Sequence, residues 1–146
     1  MTITDHLIPK LRERYPDRGL KITGSAQPCA IFPAAHPEVG DLEIHDDEDE
    51  LTLCLGELMH SHFSNYDEDL SLDEKSQAIV TEIIEFIDAL LADRIAVWSQ
   101  PGVGGGWYDV DETAGGHKQD MLLLKPLAKP DKRRHYVWSG PLPTTR

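Results

Sequence analysis

Two histidines separated by one residue are the clearest candidates for chemistry in this sequence. They lie in the segment His60-Ser61-His62. Residues two apart on a β-strand point to the same side, so His60 and His62 would both reach one zinc or other transition-metal ion. A third ligand would come from one of four residues: Glu43, His45, Glu57 or Asp67. We expect instead that both histidines make ordinary hydrogen bonds at the surface and that no cofactor is bound; a metal-binding protein or a metal-dependent enzyme is the alternative.

A glycine-rich segment is the second candidate. It runs from Pro101 to Trp107 and contains four glycines. Such a loop can present backbone N–H groups to an anion. It lacks the lysine and hydroxyl residue of a P-loop, and Trp107 stands where the dinucleotide motif needs its last glycine. We therefore predict a connection between strands and no phosphate site.

Five aromatic residues near the end of the chain form the third candidate. Trp98 shares strand parity with Ala96, and Trp138 shares it with Tyr136. A common face would make a ligand pocket or an interface patch. The alternative is that these residues fill the core of the second half of the fold. The five are Trp98, Trp107, Tyr108, Tyr136 and Trp138.

Sequence motifs of nucleophilic catalysis are missing from this chain. No serine has the G-x-S-x-G context, and neither Cys29 nor Cys54 has a distinctive catalytic neighbourhood. An EF-hand reading of the acidic segment that begins at Asn65 fails, because Leu70 and Ser76 occupy the required glycine and glutamate positions. The sequence therefore predicts no catalytic residue and favours a protein that is not an enzyme.

Charge is distributed unevenly along the chain, whose net charge is −12. Residues 22–93 contain 18 acidic residues and one basic residue, a net −17, whereas residues 117–146 carry a net +5. A field of this sign repels nucleic-acid phosphates. The acidic middle is predicted to dock a basic protein; the alternative is a solvated surface against which the basic tail lies.

Hydropathy indicates where the protein resides. The apolar runs are much shorter than the roughly 20 residues that a membrane-spanning helix needs. The first residues show neither the basic region nor the apolar region of a secretory signal. We predict a soluble, cytoplasmic protein without a membrane partner.

Apolar periodicity predicts the elements that position these residues. A short amphipathic helix is expected from Thr4 to Tyr15. A capping box at Ser71 and Glu74 opens a long helix over 72–91. Strands are expected at 20–23, 29–32, 41–44, 51–55, 95–99, 121–124 and 135–138, and residues 107–108 are expected to begin either a strand or a loop. The second of these is expected at a sheet edge, and the strand at 51–55 is expected to continue to Phe63.

A hairpin around the acidic run 46–50 is the most specific structural prediction. Its alternating leucines and isoleucine fix which residues share a face. If the whole run forms the turn, Ile44 pairs with Leu51 and Leu42 pairs with Leu53.

The order of elements predicts an α+β fold. We expect a mainly antiparallel sheet, with the short N-terminal helix and one long central helix packed on one face. Residues 1–146 are predicted to form a single domain, in which 126–146 is a Pro-rich, basic C-terminal segment. The apolar stripe of the long helix is wider than one sheet covers, so either another element or another subunit is expected to cover the rest. A homodimer through this helix or through the aromatic second half is therefore predicted.

Several short segments between residues 41 and 107 are typical of one protein family. They are His60-Ser61-His62-Phe63, Tyr66-Asp67-Glu68, Asp93-Arg94, Trp98 and Gly105-Gly106-Trp107. Through these segments the sequence resembles a family of small bacterial proteins without assigned function. The resemblance implies no activity, so it transfers no catalytic residue. By class and charge the chain is also similar to immunity proteins that neutralise toxins.

Overall fold

A computed structural model describes residues 2–23, 27–110 and 133–142 of the chain. Within these ranges it contains two α-helices and nine short strands, arranged in two antiparallel sheets. The predicted α+β class, with a short N-terminal helix and a long central helix, is confirmed. The strand predicted at 121–124 and most of the basic segment 126–146 lie outside the described residues.

Both helices begin at a capping box. Helix α1 (Ile3–Arg14) is capped by Thr2, and helix α2 (Leu72–Leu91) is capped by Ser71. The Ser71 hydroxyl accepts from the backbone N–H of Glu74, whose carboxylate accepts from the backbone N–H of Ser71. The long helix therefore has the bounds that its sequence predicts, because the local signals at its start are strong.

The first sheet contains the first five strands in sequence order, and each strand pairs with the next. Because β2 lies between β1 and β3, its predicted edge position is wrong. The five strands are β1 (Lys21–Ile22), β2 (Ala30–Phe32), β3 (Leu42–Asp46), β4 (Leu51–Leu55) and β5 (Met59–Phe63).

The β3–β4 hairpin differs from the predicted register by two residues. Ile44 pairs with Leu53, and Asp46 pairs with Leu51. Asp46 belongs to the strand, and its Oδ1 accepts from the backbone N–H of Glu48 at 2.8 Å. The turn is thus one residue shorter than the acidic run. A shift of two preserves the side on which each residue points, so the predicted inward-facing leucines are buried.

The predicted continuation of β4 to Phe63 is also wrong. The chain reverses after Leu55, where the backbone N–H of Leu58 donates to the Leu55 carbonyl at 3.0 Å. Gly56 has φ +52 at this turn, a conformation that glycine adopts without steric cost. Strand β5 therefore runs back along β4 and pairs Thr52 with His62.

The second sheet has the strand order β7-β6-β8-β9. Three of the glycines predicted to form a connection are part of β7, and the turn occupies 101–103. A Cβ atom at Gly105 would lie 2.0 Å from the carbonyl oxygen of Leu58, so only glycine lets β7 pass this close to the first sheet. The strands are β6 (Ile95–Gln100), β7 (Gly104–Asp109), β8 (Arg134–Val137) and β9 (Gly140–Pro141).

The apolar stripe of α2 is covered within one chain. All eight of its members are buried in a hydrophobic cluster that also includes residues of α1 and of both sheets. The expected uncovered strip is therefore wrong, and a homodimer remains a prediction without that support. The eight are Ile79, Val80, Ile83, Ile84, Phe86, Ile87, Leu90 and Leu91.

A polar contact joins the two helices at the rim of this core. Arg14 Nε donates to both carboxylate oxygens of Asp88, at 2.8 and 3.0 Å, and the Tyr15 hydroxyl donates to Asp88 Oδ1 at 2.6 Å. The hydrogen bond from Arg14 is the main reason that the pKa of Asp88 lies below its ordinary value of 3.8. The ionised carboxylate therefore stabilises the packing of α1 on α2.

We expect Asp88→Asn to lower the free energy of unfolding at neutral pH. Because the pKa of Asp88 is lower in the folded state, its contribution is present above pH 3.8 and is lost as the pH falls through the folded-state value. Urea melts from pH 7 to acidic pH should therefore show the difference between wild type and variant shrinking towards zero. Glu82→Gln, on the exposed side of α2, is the control for loss of a charge. A difference that persists unchanged in acid would contradict this role of Asp88.

Candidate functional site

The outer face of the first sheet carries a group of polar side chains. The alternate residues of β3 and β4 face the core, so the intervening ones face outwards. The pairing creates two cross-strand rows. One row is Glu43, Cys54 and His60; the other is His45, Thr52 and His62.

His60 and His62 lie side by side, as their spacing predicts. Both are exposed, and their ring centroids are 5.4 Å apart in an edge-to-face arrangement. Glu43 and His45, which were predicted as possible third ligands, do not complete a metal site with His60 and His62. Glu43 contacts His45 instead, with 3.2 Å between Oε1 and Nε2.

The carboxylates nearest His62 come from the β3–β4 turn. One potential ligand atom from each of Asp47, Glu50 and His62 lies within 4.8 Å of the other two. Thr52 contacts this group, because its hydroxyl donates to Asp47 and lies 3.0 Å from His62 Nδ1. We call Asp47, Glu50 and His62 the His62 site. Among the described residues no such group of three includes His60, Glu57 or Asp67.

Asp47 and Glu50 could not be assigned to the site from the sequence, because the site depends on two turns. The β4–β5 turn brings His62 opposite Thr52 of β4. The β3–β4 turn places the carboxylates of Asp47 and Glu50 just before β4. The sequence signal for these two ligands is the acidic run beside the alternating leucines. Linking that run to His62 requires the chain reversal at Gly56 to be recognised first.

A cleft of about 480 Å³ brings together the histidine motif and the glycine-rich segment. His60, Cys54 and Glu57 line one side, and the backbone at Gly104 and Gly105 lines the other. Burial, with additional repulsion from Glu43, raises the pKa of the Cys54 thiol. The thiol is therefore held in its protonated form, which is a poor nucleophile.

The five aromatic candidates are divided between the two faces of the second sheet. Val97 pairs with Trp107 on one side and with Tyr136 on the other, whereas Trp98 pairs with Gly106 and His135. Trp107 and Tyr136 therefore share a face that Trp98 does not.

The aromatic side chains also differ in their surroundings. Tyr136 and Trp138 are buried in the core, and the Trp107 ring lies edge-on to Phe86 at 5.0 Å. On the other face, the Tyr108 hydroxyl lies 3.0 Å from His135 Nδ1, and the buried Arg133 lies over the ring of Trp98 at 5.1 Å. The burial of Tyr136 and Trp138 agrees with the alternative prediction that these aromatic residues fill the core.

A second surface combines exposed apolar side chains with acidic ones. Tyr66 and Leu72 are each 80% exposed, and they line a groove of about 680 Å³. We call this the acidic groove. This groove was not predicted from the sequence. The available signal was Leu72, a large apolar residue that lies outside the apolar stripe of α2. The other lining residues of the acidic groove include Ile3, Asp46, Glu48, Asp49, Lys75 and Ile79.

Comparison with protein-family models, with curated proteins and with solved structures finds no match for this chain. In the ranges 2–23, 27–110 and 133–142, neither helix is both long enough and apolar enough to cross a bilayer. Proposals about function therefore rest on the two surfaces described above.

Proposed function

We propose that the protein is a non-enzymatic interaction protein that binds a basic protein partner in the acidic groove. The observation that carries this proposal is the exposure of Tyr66 and Leu72 inside a concave surface. Covering such large, 80% exposed side chains with a partner makes the free energy of binding more favourable. Tyrosine is also enriched among the residues that dominate binding at protein interfaces.

The charges around the groove select the chemistry of the partner. Asp46, Glu48 and Asp49 line it, and Lys75 is the one basic side chain among its described lining residues. A segment that presents lysine or arginine beside an apolar anchor would match both the charge and the exposed side chains. Complementary charge of this kind speeds association and rejects acidic competitors. A basic toxin domain would meet these requirements, in keeping with the immunity-like prediction.

The state of the thiols supports a role in binding over covalent catalysis. Burial raises the pKa of Cys29 to about 11, and its Sγ donates to the Ile44 carbonyl at 3.3 Å. The pKa of Cys54 is raised as well. Both groups are therefore in the thiol form at neutral pH and are not activated for attack.

We expect a synthetic lysine–leucine peptide to bind this groove and a lysine–serine peptide of equal length and charge to bind much more weakly. Backbone amide NMR of the isotopically labelled protein is the measurement. The signals of Tyr66, Leu72 and Asp49 should move most, because these residues line the groove. Raising the salt concentration should weaken binding by screening the charges.

The double variant Tyr66→Ser, Leu72→Ser is the matched test of the groove. Both side chains are mostly exposed, so the fold should be retained. We expect the lysine–leucine peptide to bind about tenfold more weakly, which corresponds to about 1.4 kcal/mol. Val103→Ser changes another exposed apolar residue and should leave binding unchanged. Equal binding of the two peptides, or no effect of the double variant, would refute the proposal.

A further inference from the structure

We propose that the His62 site binds a divalent transition-metal ion, independently of the acidic groove. Its donors are one imidazole and two carboxylates, with one atom from each within 4.8 Å of the others. Imidazole nitrogen suits zinc and neighbouring ions, and carboxylate oxygen completes such sites. Three protein ligands at the surface would leave coordination positions open to water.

The two turns of the sheet bring these donors together before any ion binds. Strand pairing fixes His62 opposite Thr52. The backbone N–H of Asp47 donates to the Glu50 carbonyl at 3.0 Å, which closes the turn that bears both carboxylates. Ordering the donors in advance reduces the entropy that ion binding must overcome.

Thr52 acts as a positioning residue for two of the three donors. It is 8% exposed, and its hydroxyl contacts both Asp47 and His62 Nδ1. These contacts restrict the rotation of the imidazole ring and of the Asp47 carboxylate. The buried Thr52 hydroxyl thus holds two of the three donors in place, whereas two exposed carboxylates alone would be free to move.

Glu50 and His62 are close together but are not joined by a hydrogen bond. Glu50 Oε2 lies 3.6 Å from His62 Nδ1, which is too long for a hydrogen bond. Asp47 and Glu50 belong to a run of five consecutive acids, Asp46 to Glu50. Within the described ranges no lysine or arginine forms an ion pair with Asp47 or Glu50. The excess negative charge would attract a divalent ion.

The hairpin separates this site from the acidic groove. Asp46, Glu48 and Asp49 line the groove, whereas Asp47 and Glu50 belong to the His62 site. A substitution in one set can therefore serve as a control for the other. Loss of metal binding would leave the proposed partner site untouched.

The test is a calorimetric titration of untagged protein with zinc chloride. We expect saturable binding of one ion per chain. His62→Ala and Glu50→Gln should each weaken it about tenfold or more, as expected for lost metal ligands. Thr52→Val should weaken it less, because it removes only the positioning hydroxyl.

Two matched controls separate ligation from general effects. Asp49→Asn removes a charge from the same turn, and His36→Asn removes a histidine elsewhere; both should leave zinc affinity little changed. Circular dichroism would confirm that each variant is folded. The proposal is overturned if zinc does not bind, or if Asp49→Asn weakens binding as much as Glu50→Gln. It is also overturned if His60→Ala abolishes binding while Glu50→Gln has no effect.

Discussion

Leu53→Ala should lower the free energy of unfolding by about 2–5 kcal/mol, the usual range for a fully buried leucine. Leu53 has no exposed surface and lies at the middle of β4, between strands on both sides. Truncation would remove its apolar contacts and leave a cavity in the cluster shared by the helices and sheets. Strand β4 is hydrogen-bonded to β3 on one side and to β5 on the other, so its backbone can move into the cavity only in part.

A urea or guanidinium melt measures this effect. The control is Leu72→Ala, which makes the same chemical change at a residue that is 80% exposed; it should alter stability by no more than about 0.5 kcal/mol. If Leu53→Ala cost well under about 1 kcal/mol, the assignment of β4 side chains to the core face would be wrong.

Gly56→Ala should be similarly damaging, with an expected loss of about 3 kcal/mol or more from two separate causes. The residue has φ +52, where an L side chain is strained. An added Cβ would also lie 2.2 Å from the carbonyl oxygen of Val39 and 3.2 Å from the Cα of Gly40. Both obstacles are backbone atoms, so a side-chain rotation cannot relieve the clash.

Gly102→Ala separates these two causes. Gly102 also has a left-handed backbone, with φ +79, but a Cβ there would meet nothing within 4 Å. We expect it to cost only about 1–2 kcal/mol, which is the conformational strain alone. Thermal and denaturant melts of both variants would report the difference. Equal losses would show that the turn at Gly56 moves away from Val39 at little cost.

Features set by neighbouring residues were predictable from the sequence. The bounds of α2 follow from Ser71, Glu74 and an apolar period of helical length, all of which act locally. The burial of Leu42, Leu53 and Leu55 follows from strict alternation. The common orientation of His60 and His62 follows in the same way from the two-residue period of a strand.

Features that depend on turns and distant partners were not predictable in this way. The register of β3 and β4 goes with a turn in which the backbone N–H groups of Asp47 and Glu48 donate to Glu50 and Asp46, a detail that the acidic run does not predict. The reversal at Gly56 adds β5 to the first sheet, and among the strands that the structure describes β6 to β9 pair only with one another, so the two sheets depend on which distant strands meet. Asp47 and Glu50 reach His62 only once both of these are fixed. The acidic groove likewise joins residues that are far apart in the sequence, such as Ile3 and Tyr66.

The close approach of Gly105 to Leu58 protects the protein against self-association through its strands. An unpaired sheet edge is a template on which another molecule can add a strand, and longer edges are the greater hazard. Among the described strands, the long edges are β5 and β7, and these lie against each other. The opposite edges, β1 and β9, contain two residues each. In the part of the chain that the structure describes, the long edge of each sheet is therefore covered by the other sheet, and the opposite edge is a strand of two residues.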